Sequence, residues 1–240
     1  MTERMTGHVN GHIRAIFWKQ MKETFKNKAI FIQFVMFPVM TIIMENSVRI
    51  EGMQPHFFAN LFAVMYVGMA PLTSMASILA EEKEKNTLRV LLMANVRPVE
   101  YLTGIGTYIW TLCMLGAAVI GAAGGYTGKV FALYLLAMGF GILVSMVIGA
   151  AIGSFSKNQM TATSVTVPVM MIFSFLPMIS MFNKTIASVA RFTYSEQLRL
   201  LISELGHLKV SPEMPIVLAA NAALALGLFV VAYRRSGLEK

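Results

Sequence analysis

Long stretches without charge constrain this sequence more than any other feature. A helix of about 20 apolar residues crosses the roughly 30 Å of hydrocarbon in a bilayer. Six stretches of that kind hold at most one ionisable side chain each: 29–48, 57–80, 102–124, 130–155, 160–182 and 215–233. Charged residues form 13% of the chain, about half the roughly 25% of soluble domains, too few to cover a soluble surface. The sequence therefore predicts one all-α membrane domain over 1–240 with six transmembrane helices.

The distribution of basic residues predicts how these helices are oriented. An even number of spans places both termini on the same side of the membrane. If that side is the cytoplasm, fourteen of the twenty Lys and Arg residues lie inside and six lie outside. Cytoplasmic loops are enriched in Lys and Arg, so we expect both termini in the cytoplasm. The same placement accounts for the net charge of +8 without a nucleic-acid partner.

The segment 12–26 has the pattern of a basic amphipathic helix. Its apolar residues share one helical face: Ile13, Ile16, Phe17, Met21 and Phe25. The charged residues lie on the opposite face: Lys19, Lys22, Glu23 and Lys26. We expect an interfacial helix in the plane of the cytoplasmic headgroups. The alternative is a positively charged flank that only sets the orientation of the first span.

A second amphipathic pattern lies in 183–214, between the last two spans. Its apolar residues recur at steps of three and four: Leu198, Leu201, Ile202, Leu205 and Leu208. The pattern predicts short helices on the outer side of the membrane. These helices either dip into the outer leaflet, where their backbone must be satisfied within the protein, or rest on the outer surface.

Two Gly-x-x-x-Gly pairs occur in or at the end of the predicted spans. They are Gly121 with Gly125, and Gly149 with Gly153. Pairs of this kind allow helix backbones to approach closely, so each is a candidate helix contact.

The sequence lacks the residues that common active sites require. There is no Asp, which removes the usual magnesium ligand of P-loop ATPases. The stretch "AGGYTGKV" at 123–130 imitates a phosphate loop but has Ala first and Val last, where Gly and Ser or Thr are needed. We predict no catalytic, cofactor-binding or metal site in this chain. A membrane-embedded enzyme is disfavoured because Ser145 and Ser174 have no His or Lys in their spans, and a passive channel because no ring of charge is evident.

Glu45 is the one ionisable residue within a predicted span. Intramembrane acids usually mark functional sites, so Glu45 and the adjacent Asn46 are candidates for a translocation pathway. The alternative is an interfacial ion pair between Glu45 and Arg49, one helical turn further on.

The densest charge in the chain is "EEKEKNTLRVLLM", residues 81–93, between the second and third spans. Asn86 can cap a short cytoplasmic helix whose acidic leader lies near the positive end of its dipole. Leu88, Leu91 and Leu92 would form the apolar face of that helix. We interpret this short helix, here called the coupling helix, as a docking element for a soluble partner. The alternative is a charged loop that only fixes topology, but Glu contributes little to orientation.

This loop resembles the first cytoplasmic loop of ABC exporter permeases of the ABC-2 type. Those permeases have a Glu-Lys/Arg-Glu cluster, Gly-Thr-Leu, a Leu-Leu pair, and then a Thr-Pro-Val step that leads to a Glu and a Gly. The residues in register are Glu82, Glu84, Thr87, Leu88, Leu91, Leu92, Val96, Glu100 and Gly104. The chain departs from the pattern at Asn86, where the family has Gly, and at Ala94 and Asn95, where it has Thr-Pro.

The resemblance implies a transmembrane subunit of an ATP-driven exporter in a prokaryotic cell membrane. It implies two copies of a soluble ABC ATPase, which hold ATP and Mg, and a second permease copy, identical or related. The residues that it assigns to the ATPase-coupling interface are Glu82, Glu84, Asn86, Thr87, Leu88, Leu91 and Leu92. Twenty Met residues suit an adaptable apolar surface, which favours drugs, lipid-linked compounds or amphipathic peptides as substrates. The alternative function is a non-transporting sensor or assembly partner that uses the same loop.

Overall fold

A computed structural model describes residues 2–26, 28–48, 56–87, 93, 96–205 and 212–235. In these ranges the chain forms helices joined by short turns. The helices are α1 (Thr2–Lys26), α2 (Lys28–Ser47), α3 (Phe57–Glu84), α4 (Pro98–Ala123), α5 (Gly128–Phe155), α6 (Gln159–Ser180), α7 (Lys184–Ala190), α8 (Tyr194–Ser203) and α9 (Glu213–Arg235).

Five of these helices are long and apolar enough to cross a membrane: α3, α4, α5, α6 and α9. The remaining predicted span, 29–48, corresponds to α2, whose apolar part Phe31–Ser47 is shorter than the other five. The described residues therefore confirm an all-α membrane protein and show five candidate spans where the sequence predicts six.

Helix α3 lies at the centre of the bundle and packs against α2, α4, α5, α6 and α8. It is longer than the predicted span 57–80, because Glu81–Glu84 form its last turn instead of a loop. Glu and Lys are good helix formers, so the charged stretch continues the helix beyond the apolar region. This extension places the charges of the sequence cluster on the end of the central helix.

The second glycine pair lies where the backbones of α5 and α3 approach closely. A Cβ atom on Gly149 would lie 2.3 Å from the carbonyl oxygen of Leu72, and one on Gly153 would lie 2.8 Å from that of Ala76. This pair is therefore a helix contact of the kind that the sequence predicts.

The first glycine pair has a different role. Gly121 faces the ring of Tyr134 on the neighbouring helix, and Gly125 lies in the α4–α5 turn with φ of +76°. Only one member of this pair therefore lies at a helix contact, and the other permits a left-handed turn.

Helix α8 packs inside the bundle instead of resting on its surface. Leu198, Ile202 and Leu205 are buried, and Leu198 fills the space beside Gly141, halfway along α5. Tyr194, one turn earlier, is hydrogen-bonded to Ser145 of α5, one turn further on. The two helices therefore run antiparallel, and the predicted apolar stripe of α8 is buried. Leu208 lies outside the described residues.

The close contact of α5 with α3 gives a test by substitution. Gly149→Ala places a methyl group against the backbone of α3, so we expect the free energy of unfolding to fall by about 1–3 kcal/mol. Gly227→Ala on α9 is the matched control, because nothing lies within 4 Å of its Cβ position. Thermal unfolding in detergent should separate the two variants. Equal melting temperatures would contradict the close contact.

Candidate functional site

The strongest concentration of polar contacts within the described residues is the last turn of α3 with its C-cap, residues 81–85, here called the charged end of α3. Its side chains reach α1, α5 and α6, and one pair joins two residues of the charged end itself. One short stretch therefore binds three other helices at the predicted cytoplasmic side.

Glu82 binds the N-terminal helix α1. Its Oε1 accepts hydrogen bonds from Lys19 Nζ at 2.5 Å and from Gln20 Nε2 at 3.1 Å. Glu82 is 5% exposed, because α1 lies over it. The sequence predicts an exposed carboxylate for a partner at this position, and the structure instead places the carboxylate in a contact within the chain. The coupling role of Glu82 thus remains a prediction, and direct contact with a partner does not fit this burial.

Lys83 binds the C-terminal end of α5. Its Nζ donates to the carbonyl oxygens of Ser154 at 2.6 Å and of Ser156 at 2.7 Å. The last carbonyl groups of a helix have no partner within the helix and carry partial negative charge. The ammonium group therefore both satisfies these carbonyls and complements the helix dipole.

Glu84 binds the N-terminal end of α6. Its Oε2 accepts a hydrogen bond from the backbone N–H of Gln159 at 2.9 Å, and the Asn158 side chain accepts from Thr161 N–H at 2.8 Å. The Gln159 side chain also donates to Ser77 of α3 at 2.9 Å. A carboxylate is favoured at a helix N-terminus because the free N–H groups there carry partial positive charge. Lys83 and Glu84 therefore bind the two helix ends on either side of the 156–158 turn.

The charged end of α3 finishes with Glu81 and Lys85, whose side chains are 2.5 Å apart across one helical turn. The hydrogen bond to the Glu81 carboxylate raises the pKa of Lys85 above its ordinary value. This pair lies on the exposed side, so it adds little stability and leaves both side chains near solvent.

Asn86 ends α3. Its φ is +55°, and its backbone N–H donates to the carbonyl of Lys83 at 3.1 Å. The left-handed conformation is typical of the residue that follows a helix C-cap, where Gly is usual and Asn is the next choice. The predicted N-cap role needs extended backbone, so the structure corrects it. The same conformation explains why Asn can stand where the family pattern has Gly.

Beyond Asn86, the structure describes Thr87, which is half-buried, and Met93, which is 75% exposed. Leu88, Leu91 and Leu92 lie outside the described residues, so the coupling helix and its apolar face stay predictions. Val99, in the first turn of α4, is 72% exposed. Two large apolar side chains are thus exposed where the loop leads into α4.

The family positions Glu100 and Gly104 both face α1. His12 Nδ1 donates to Glu100 Oε2 at 2.9 Å, and Arg97 N–H donates to the same oxygen at 3.3 Å. A Cβ on Gly104 would lie 2.9 Å from Ile16. The carboxylate therefore holds α1 against the first turn of α4, and the glycine leaves room for α1 one turn later.

The buried face of α1 is rotated from the predicted one. Gln20 and Thr24 are buried together with Ile16, whereas Phe25 is 65% exposed and Trp18 is exposed beside it. Polar side chains are buried here because they have partners: Gln20 binds Glu82, and Thr24 accepts from the Tyr108 hydroxyl. Hydrophobic periodicity could not reveal this face, since it depends on polar groups of α3 and α4.

Comparison with known families decides what kind of protein carries this site. The family described as ABC-2 family transporter protein matches residues 7–233, which is nearly the whole chain. The chain belongs to this family. It is therefore a transmembrane permease subunit of an ABC transporter, and the family implies association with an ABC ATPase. No curated protein matches the chain.

The predicted pathway residues of this permease have local partners. Glu45 Oε1 accepts a hydrogen bond from the backbone N–H of Ala59 at 2.8 Å, in the first turn of α3, where a carboxylate complements the helix dipole. The Asn46 side chain donates to the Ile42 carbonyl of its own helix at 2.7 Å. Arg49 lies outside the described residues. Glu45 thus caps α3, a third role that neither sequence interpretation included.

An ion pair that the sequence analysis missed lies in α8. Arg199 Nη2 is 2.7 Å from Glu196 Oε1, and the Ser180 hydroxyl donates to Glu196 Oε2 at 2.9 Å. Glu196 is buried. Glu196 and Arg199 lie between two predicted spans, where apolar length gives no reason to expect buried charge. The sequence indicates this ion pair only by the spacing of three residues between Glu and Arg within the apolar stripe.

The serines considered for an embedded enzyme have structural partners in the permease. Ser145 is hydrogen-bonded to the Tyr194 hydroxyl at 2.6 Å, and Ser174 donates to the Met65 carbonyl at 3.2 Å. These hydroxyls join α8 to α5 and α6 to α3.

The buried ion pair of α8 gives a test of how this helix packs in the bundle. Arg199→Met leaves the buried Glu196 carboxylate with Ser180 as its one side-chain partner in the described part of the chain, so we expect the free energy of unfolding to fall by about 3 kcal/mol. Adding Glu196→Gln to this variant removes the buried charge and should recover most of the lost stability. Thermal unfolding of both variants in detergent measures this, and a single variant as stable as the wild type would contradict the burial of the pair.

Proposed function

We propose that this permease exports a hydrophobic or amphipathic substrate and is driven by a separate ATPase that docks on residues 81–95. The observation that carries the proposal is the charged end of α3. The loop follows shortly after Glu82, Lys83 and Glu84. The side chains of these residues contact α1, α5 and α6. Movement of a docked ATPase would therefore shift three helices together.

The contacts divide the predicted coupling residues into two groups. Glu82 lies inside the chain's own network and would transmit movement as a positioning residue, together with its neighbour Lys83, which is not a predicted coupling residue. Glu84 is exposed and has one backbone partner, so its carboxylate remains open to a basic partner. Leu88, Leu91 and Leu92 are the predicted apolar ridge, and exposed Met93 would extend that surface.

The membrane arrangement is part of the same proposal. We propose that α2 is the sixth span, with both termini cytoplasmic and α1 at the headgroup level. Exposed Trp18 and Phe25 on α1 are aromatic residues of the kind that favour the membrane interface. Interfacial placement of α1 over the charged end of α3 would bring lipid, helix and docking loop together.

A second permease copy fits the exposed apolar faces of the bundle. Helix α2 exposes Ile43, and α6 exposes Met171 and Ile172, so lipid or a facing copy must cover them. A transporter with two permease copies and two ATPase subunits would place the translocation pathway between these faces. Such walls offer apolar and adaptable contacts, which favours drugs, lipid-linked compounds or amphipathic peptides over sugars or ions.

The docking surface is tested by adding charge to it. Met93→Glu places a carboxylate in the proposed apolar contact, and we expect about tenfold less ATPase to co-purify with the permease in mild detergent. Met160→Glu, at the exposed start of α6, is the matched control and should leave the complex intact.

Three outcomes decide between the candidate functions. Loss of a phosphate-loop ATPase from Met93→Glu alone, together with substrate-stimulated ATP hydrolysis by the wild-type complex, supports the exporter. A wild-type chain that purifies with a partner unable to bind ATP would favour the sensor or assembly function. If the same amount of ATPase co-purifies with both variants, Met93 is not part of the docking surface.

A further inference from the structure

An apolar groove lies between α5, α6 and α9. Its volume is about 390 Å³, within the roughly 300–1,000 Å³ of ligand-binding pockets. Its walls are mostly aliphatic, with contributions from Ile148, Ile152, Val165, Val169, Leu224 and Leu228. Several of these side chains are exposed, so the groove opens on the outer side of the bundle, which would face lipid in a membrane.

The polar groups of the groove lie only at its two ends. Arg235 and Ser156 line the end nearest the charged end of α3, and Asn221 lines the opposite end. The Asn221 amide already donates to the carbonyls of Phe192 and Val217, both at 2.9 Å. The far end therefore offers no free polar hydrogen for a ligand, whereas the near end offers a guanidinium group.

Positive charge is concentrated at the near end. Exposed Lys157 follows Ser156, and Arg235 ends α9. Within the described part of the chain, no acidic side chain forms an ion pair with either residue. An apolar groove with cations at one end complements an amphipathic molecule that has an anionic head and an apolar tail.

The length of the groove matches one leaflet of a bilayer. Asn221 and Arg235 are fourteen residues apart on α9, or about 21 Å at 1.5 Å per residue. Half of a bilayer with its headgroups measures roughly 20–22 Å. Under the proposed orientation, Arg235 lies at the cytoplasmic headgroups and Asn221 near the midplane.

We propose that this groove is a selective site for an anionic phospholipid of the cytoplasmic leaflet. One acyl chain lies along the aliphatic walls, and the phosphate binds Arg235 with Lys157 nearby. The orientation comes from the proposed function, but the site itself needs no ATPase. The head of the lipid lies beside Ser156, whose carbonyl accepts from Lys83. The bound lipid therefore adjoins the contact between α3 and α5.

The test measures how much lipid the full-length chain retains and which kind. Purified protein is exchanged into mixed micelles of phosphatidylglycerol and phosphatidylcholine, and native mass spectrometry counts bound molecules. We expect one tightly retained phosphatidylglycerol per chain. Arg235→Gln should weaken its binding about fivefold, since a basic residue near the surface contributes about 1 kcal/mol to anionic lipid binding. Arg234→Gln, exposed but outside the groove, should leave binding unchanged.

A second pair of variants tests the acyl-chain position. Leu228→Trp fills the groove, and Leu226→Trp adds the same bulk elsewhere on α9. These leucines are 55% and 53% exposed, and only Leu228 lines the groove. We expect Leu228→Trp alone to lose the retained lipid, with unchanged thermal unfolding in lipid-free detergent as evidence of intact folding.

Three results would overturn the proposal. The first is that the protein retains as much phosphatidylcholine as phosphatidylglycerol. The second is that both tryptophan variants lose the bound lipid equally, and the third is that both glutamine variants weaken its binding equally. If Leu228→Trp abolishes substrate-stimulated ATP hydrolysis while lipid retention is unchanged, the groove belongs to the substrate and not to a lipid. Loss of ATPase co-purification affects only the proposed function, because lipid counting uses the permease chain alone.

Discussion

Two adjacent side chains, Lys83 and Glu84, bind opposite ends of two other helices, and the packing of α5 and α6 against α3 depends on this arrangement. The C-terminal end of α5 needs hydrogen-bond donors and the N-terminal end of α6 needs acceptors. Neighbouring positions on a helix point about 100° apart, so α3 can supply both groups from one turn. Glu82, one residue earlier, points towards α1. The charge cluster is therefore a set of caps for neighbouring helices as well as the start of the loop between α3 and α4.

The same requirement for backbone partners shapes the other half of the bundle. The chain breaks between α7 and α8 beside the middle of α9, where Asn221 donates to the free carbonyl of Phe192. Buried Glu196 accepts from Ser180 and pairs with Arg199. Several polar residues inside the apolar bundle thus lie where helices begin or end.

The sequence predicts the helices well because apolar length and periodicity are local properties. It predicts the close approach of Gly149 and Gly153 to α3 for the same reason. It does not predict the burial of Glu82, Gln20 or Thr24, because each depends on a partner more than sixty residues away. The predicted N-cap role of Asn86 is wrong, because Asn is common both at N-caps and in the left-handed conformation after a C-cap. Family resemblance assigns this loop to a partner interface, and only the structure shows which helices its charged residues contact.

The central claim is that the charged end of α3 transmits movement from the docking loop to the bundle. It is tested most directly by substrate-stimulated ATP hydrolysis in the reconstituted complex with Lys83→Met. The comparison is Lys85→Met, whose ammonium pairs, among the described residues, only with Glu81 on its own helix. The account predicts that both variants retain the ATPase subunit and that Lys83→Met alone loses the stimulation. Full stimulation in Lys83→Met, with the ATPase bound, would contradict the account.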